Sequence, residues 1–212
     1  MLPVLVVGGA GLALVMLGRD LGTAIIIALI VFGTLAIIGA PLAPLMQVFV
    51  GVAVAGALAA MSSGSRMARI NAWLNPDSAS SDAFNWQYEH GTWALAAGGV
   101  FGVGLGNSKM KWSWIPEVEN DFIFAVIGEE LGFIGALVVI GIFALLVSSL
   151  IGIMNRSDST FGKVLVVGVI VWIVAQSSVN IAVVLGVLPV LGVPLPLISA
   201  GGSSLIATLG AI

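Results

Sequence analysis

From its first residues the chain is a succession of apolar runs separated by short polar breaks. Residues 3–17, PVLVVGGAGLALVML, predict a short helix, which GRD at 18–20 interrupts. Residues 21–39 and 45–61 predict two more helices, with APLAP at 40–44 turning between them. From Ser62 to Asn120 the pattern is polar and mixed. A long helix is predicted over 121–151, led by FIFAVIGEELG, then a loop, NRSDSTFGK, at 155–163. Another helix follows over 164–186, then a proline–glycine loop, GVLPVLGVPLP, at 186–196, and a further apolar segment that stops at Ile212. Runs of about 18 apolar residues or more cross hydrocarbon as helices, whereas membrane β-barrels show short alternating segments. The fold class is therefore an all-α polytopic membrane protein. A chain that ends within an apolar run without flanking polar anchors reads as a fragment of a longer protein.

Composition supports this pattern. The chain is 59% hydrophobic and 8% charged, with a mean hydropathy of +1.18, against about 25% charged residues in soluble domains. Such a chain cannot cover a water-facing surface. It has no cysteine and one histidine, His90, which excludes disulfides and thiolate or histidine-rich metal sites. A net charge of −3 gives no reason to expect nucleic acid. Trp86, Trp93, Trp112 and Trp114 fit an interfacial aromatic belt.

The 62–120 region is more than a linker. Its TWALAAGGVFGVGLG stretch is too glycine-rich for a plain spanning helix, and fits a helix or re-entrant segment lying in or near the interface. Irregular backbone persists near a membrane only where protein or a wet cavity satisfies it, so a folded cap over a cavity is expected. Arg19, Arg66, Arg69, Lys109 and Lys111 fall on one side of the membrane, Arg156 and Lys163 on the other. A positive-inside count would put the long region in the cytoplasm, but the rule weakens for loops this long, and substrate-binding cations would distort it. Composition leaves the orientation open.

Polar chemistry concentrates in residues 102–130, GVGLGNSKMKWSWIPEVENDFIFAVIGEE. Lysines bind phosphate as point charges, which suits Lys109 and Lys111. Asp121, at the mouth of a helix, fits a general base, a metal ligand or an N-cap, the cap being the plainer reading. Glu117 and Glu119 fit solvated loop charges as well. Glu129 and Glu130, about two turns into the helix, fit structural pairing better than catalysis. Asp20 beside Arg19 reads as an ion pair and cap, or as a polar contact orienting a cavity. The Gly-Gly-Ser-Ser at 201–204 fits either helix punctuation or an anion-binding helix start.

GVGLGNSKMKWSWIPEVENDFIFAVIGEELGFIG, GRDLGTA at 18–24, the Arg69 and Asn75–Pro76 segment, and NIAVVLGVLPVLGVPLPLISAGGSSL at 180–205 resemble, in order, the SEDS family (shape, elongation, division and sporulation; the FtsW/RodA group). The match covers essentially the whole chain and is most similar to the division branch of actinobacterial type. The resemblance implies a fold of about ten spanning helices, of which this chain supplies about the last six, the tenth truncated. It implies three spans in 1–61, a large extracytoplasmic loop with the catalytic region at 62–120, and three spans in 121–212. It implies a multi-pass protein of the bacterial cytoplasmic membrane at the division septum. The activity implied is a peptidoglycan glycosyltransferase that polymerises lipid II into β-1,4 glycan and releases undecaprenyl pyrophosphate. Asp121 would be the catalytic base. Arg69, Gln87, Ser108, Lys109, Lys111, Glu117, Asn180, Ser199, Gly201, Gly202, Ser203 and Ser204 would contact substrate, and Asp20, Glu129 and Glu130 would support the site. The implied partners are the lipid-linked glycan, a class B penicillin-binding protein, divisome proteins and membrane lipid. No protein-bound metal is implied, and a divalent cation, Mg or Mn, on the pyrophosphate stays open. The chain departs from the family pattern at Ala200, His90 and Glu119. The competing functions are a lipid II flippase, with Glu129, Glu130 and Asn180 along the path, and a non-catalytic division scaffold.

Overall fold

The computed structural model describes residues 2–18, 20–75, 82–109, 120–200 and 202–212. Among the described residues every regular element is an α-helix: α1 (Leu2–Leu17), α2 (Leu21–Ile37), α3 (Leu42–Met61), α4 (Gly64–Leu74), α5 (Asp82–Gly98), α6 (Ile123–Arg156), α7 (Thr160–Val184) and α8 (Gly202–Ala211). Three of them, α3, α6 and α7, are long and apolar enough to cross a membrane, and α1 and α2 are shorter apolar helices. Val48, Val50, Val54 and Leu58 of α3 are exposed, as are Leu137, Ile142 and Leu145 of α6. In water that surface would cost roughly 25 cal/mol per Å². Against lipid tails it costs nothing, as expected of a multi-pass membrane protein.

Local chemistry sets the helix ends and corrects several expected boundaries. α2 stops at Ile37 rather than 39 because Gly39 adopts φ +88, and the amides of Gly39 and Ala40 turn back onto the carbonyls of Ala36 and Leu35. That is a Schellman closure. The loop expected over 155–163 shrinks to 157–159, since Ser159 Oγ accepts from Gly162 N at 3.0 Å and starts α7 early. The polar region contains two helices, α4 and α5, where hydropathy showed no span.

The chain divides into two compact units. The first comprises residues 1–63 and 146–175. Its core gathers Ala28, Phe32, Leu35 and Leu45, with the Phe49 ring edge-on to Phe32 at 5.2 Å. Glycines let helices approach: a Cβ on Gly33 would lie 2.7 Å from Val171. The second unit comprises residues 64–145 and 176–212 and holds α4, α5, the start of α6, the end of α7 and the proline-rich loop. Trp73 Nε1 of α4 donates to the Gly186 carbonyl at 2.9 Å.

α6 is not continuous. Gly132 has φ 69 and ψ −166, which interrupts the helical ladder. Residues 99–104 fill the break. Val103 N donates to Glu129 O at 2.9 Å and Gly104 N to Glu130 O at 3.0 Å. In return Phe133 N donates to Gly99 O at 2.9 Å and Ile134 N to Val100 O at 3.3 Å. Backbone groups freed at the break are thus paired, as a low-dielectric setting demands. Beyond the break, residues 133–156 run for about 36 Å, enough to span the hydrocarbon with tilt. Residues 123–131 form a stub ahead of that span.

Candidate functional site

Asp121 stands at the mouth of the stub. It was expected to open the helix, but α6 begins at Ile123. The Ala125 amide, which would otherwise bond Asp121 O, goes to Phe122 O at 2.9 Å. The Asp121 carbonyl instead accepts from Asn180 Nδ2 of α7 at 2.8 Å. The next residue, Phe122, is fully buried, and its ring fits where α5 has a glycine: a Cβ on Gly91 would lie 2.9 Å from it. The Asp121 side chain is half-buried and runs beside the 186–200 loop, with Oδ2 3.6 Å from the point where a Cβ on Gly192 would sit. Gly192 has φ +69, which excludes most side chains there.

Helix α7 and Ser199 organise that loop. Pro189, Pro194 and Pro196 have no N–H to donate, and the Val193 and Pro194 carbonyls find donors on α7. Asn180 Nδ2 donates to Val193 O at 2.7 Å and Gln176 Nε2 to Pro194 O at 2.8 Å. Four residues apart, the two amides lie on one helix face. Ser199 Oγ accepts from Leu195 N at 2.8 Å and donates to Asn120 O at 2.5 Å. Leu197, between them, has φ 65, a conformation rare for a branched side chain.

A second cluster lies farther along the stub. Glu129 is 2% exposed, and its carboxylate accepts from Ser108 Oγ at 2.5 Å and from Lys109 N at 3.2 Å. The Lys109 side chain is exposed. From Ile123 to Glu129 the stub rises roughly 9 Å. One short helix thus carries Asp121 at its mouth and, near its far end, the anchor of the lysine-bearing loop. Glu130 is half-buried and its Oε1 has no hydrogen-bond partner among the described residues.

The other expected site residues are dispersed. Arg69 is exposed on α4. Asp20 belongs to the first unit and caps α2, accepting from Thr23 N at 2.9 Å and from Thr23 Oγ1 at 2.5 Å. Gly202 opens α8. Lys111, Glu117 and Gly201 lie outside the described residues, as do the side chains of Gln87, Ser203 and Ser204. Sequence reasoning passed over Gln176, although a carboxamide one turn from Asn180 on an apolar helix was a usable signal. His90, a lone histidine read from the sequence as structural rather than catalytic, is 2% exposed, stacked on Trp86 at 4.0 Å, with Nδ1 2.8 Å from the Trp86 carbonyl.

The arrangement suits proton abstraction. A half-buried carboxylate is held through its own carbonyl, while a lysine loop is tied to the same helical stub. Among the described residues no three His, Cys, Asp or Glu side chains converge into a metal cage.

The chain is similar to proteins of known class along its whole length. It is 41% identical over 212 residues to the probable peptidoglycan glycosyltransferase FtsW of Mycobacterium tuberculosis and to that of Mycobacterium bovis, covering all of this chain and 40% of each relative. It is 45% identical over 147 residues to the protein of the same name from Trichlorobacter lovleyi, covering 69% of this chain and 38% of that one. The chain therefore spans about two fifths of the length of these relatives. A solved structure described as "Structural coordination of polymerization and crosslinking by a peptidoglycan synthase complex" superposes with a TM-score of 0.72 at 28% identity, over 99% of this chain and 57% of that one. The sequence profile of the cell cycle proteins FtsW, RodA and SpoVE matches residues 1–212, and the chain belongs to that family.

Proposed function

We propose that the protein to which this chain belongs is a peptidoglycan glycosyltransferase that polymerises lipid II during cell division. The observation that carries the reading is Asp121, a carboxylate held at the mouth of a membrane helix by Asn180 on its carbonyl. In this reading the acceptor sugar's 4-hydroxyl attacks the anomeric carbon of the donor. The new C–O bond forms as the bond to pyrophosphate breaks, the hydroxyl proton passes to Asp121, and undecaprenyl pyrophosphate leaves with the electron pair. The leaving group's charge is met by lysines, Lys109 and Lys111, and by Arg69. On this reading Gln87, Ser108, Glu117 and residues 201–204 would contact substrate, whereas Asn180 and Ser199, expected from the resemblance to do so, are buried with their polar hydrogens spent on main-chain carbonyls. Mg or Mn would enter with the pyrophosphate.

The relatives' names and the family match support this chemistry. The solved relative's description, a synthase complex that coordinates polymerization and crosslinking, supports a crosslinking partner. Our reading takes that partner to be of the class B penicillin-binding type and adds divisome proteins. The same reading puts the chain in a ten-helix protein of the bacterial cytoplasmic membrane at the septum. Residues 62–120 then face outward between two sets of three spans, 1–61 and 121–212.

The test is Asp121→Asn in the full-length protein with its transpeptidase partner. General-base removal typically costs 10²–10⁴-fold, so glycan synthesis from purified lipid II should fall at least ~100-fold with the protein still folded. Wild-type output from that variant would end the assignment.

A further inference from the structure

We infer that Asn180 and Ser199 are positioning residues that hold the Asp121 backbone in register with the proline-rich loop. The inference rests on Asp121 being the reacting carboxylate.

Two consecutive carbonyls are seized from two directions. Ser199 Oγ donates to Asn120 O and Asn180 Nδ2 to Asp121 O. Each donor is also tied to the loop, Asn180 through Val193 O and Ser199 through Leu195 N. The loop is anchored a third time by Gln176 on Pro194 O. Asn180 is 1% exposed and Ser199 5% exposed. With their polar hydrogens spent on protein carbonyls, neither offers a donor to a ligand. Both bonds to residues 120 and 121 are to main chain, so they fix where the Asp121 Cα–Cβ vector starts without drawing on its carboxylate. By taking the carbonyl that Ala125 would bond, Asn180 also keeps Asp121 out of the helix and beside Gly192. A misplacement of about 1 Å in a reacting group costs on the order of 100-fold in rate.

The experiment uses full-length protein with its transpeptidase partner in membranes. Asn180→Asp keeps the side chain's shape and removes its donor pair, Ser199→Ala removes the hydroxyl, and Ser199→Thr restores it. The readouts are kcat and KM for lipid II, and hydrogen exchange at residues 120–122 and 193–199. A positioning role gives a tenfold or larger fall in kcat at unchanged KM in Asn180→Asp and Ser199→Ala, recovery in Ser199→Thr, and faster exchange in both segments. A raised KM at unchanged kcat would make these residues substrate contacts and overturn the inference. Wild-type kinetics and exchange in Asn180→Asp would overturn it even if Ser199→Thr fails to fold. Should Asp121→Asn stay active while exchange rises as described, the functional reading fails and the clamp stands.

Discussion

A single buried carboxylate, Glu129, ties the lysine-bearing loop to the stub through Ser108 Oγ and Lys109 N. A hydrogen bond to a charged group contributes about 1.5–3 kcal/mol, and stranding a buried partner costs about 1–3 kcal/mol. Glu129→Gln and Ser108→Ala should therefore loosen residues 105–109 without melting the helices. Trypsin cleavage after Lys109, which is exposed, should quicken by about 5- to 150-fold, tenfold per 1.4 kcal/mol. Unchanged cleavage in both variants would show that the loop is held by other means. Residue types gave partial warning of this. Carboxylates in an apolar run announce a role, but sequence alone could not pair Glu129 with a serine 21 positions earlier. Asp121 was conspicuous for the same reason, yet its place outside the helix depends on Asn180, which is distant in sequence.

At the scale of the element, the break in α6 matters most. Residues 98–104 approach the stub so closely that no side chain fits at Gly98 or Gly102: a Cβ on Gly98 would collide with Gly128 O, and one on Gly102 would lie 2.5 Å from the Glu130 carbonyl carbon. Gly102 and Gly132 also have φ of +81 and +69. Gly102→Ala and Gly132→Ala combine strain with overpacking, each about 1–3 kcal/mol. Both should lower the unfolding midpoint in detergent or yield little folded protein. Gly141→Ala, in the same helix with nothing within 4 Å of its Cβ, should stay within about 1 kcal/mol of wild type. Equal behaviour of all three would refute the close contact. Hydropathy located α6 well because the apolar run is long, but it is blind to φ, so the break was invisible. α4 escaped notice because it is short and mixed in polarity, and only the apolar second half of α5, from Thr92, was legible as a helix.

At the scale of the molecule, the apolar runs made a membrane protein legible, since burial in lipid is written into composition. Orientation was not, because basic residues near a substrate and basic residues near the cytoplasm look alike in sequence. These 212 residues contain no cysteine, so a single thiol placed among them, in full-length protein cleared of any cysteine elsewhere, reports topology directly. Asn107→Cys should react with an impermeant maleimide from outside intact cells, and Ser159→Cys only after permeabilisation. The reverse pattern would invert the proposed topology. The break at Gly132 has a further consequence for how such a chain can change. Where two side chains touch, enlarging one can be forgiven by trimming the other. Where Gly102 meets Gly132, there is nothing left to trim. Any mutational path through either position must move main chain, so this part of the molecule has no local compensation open to it.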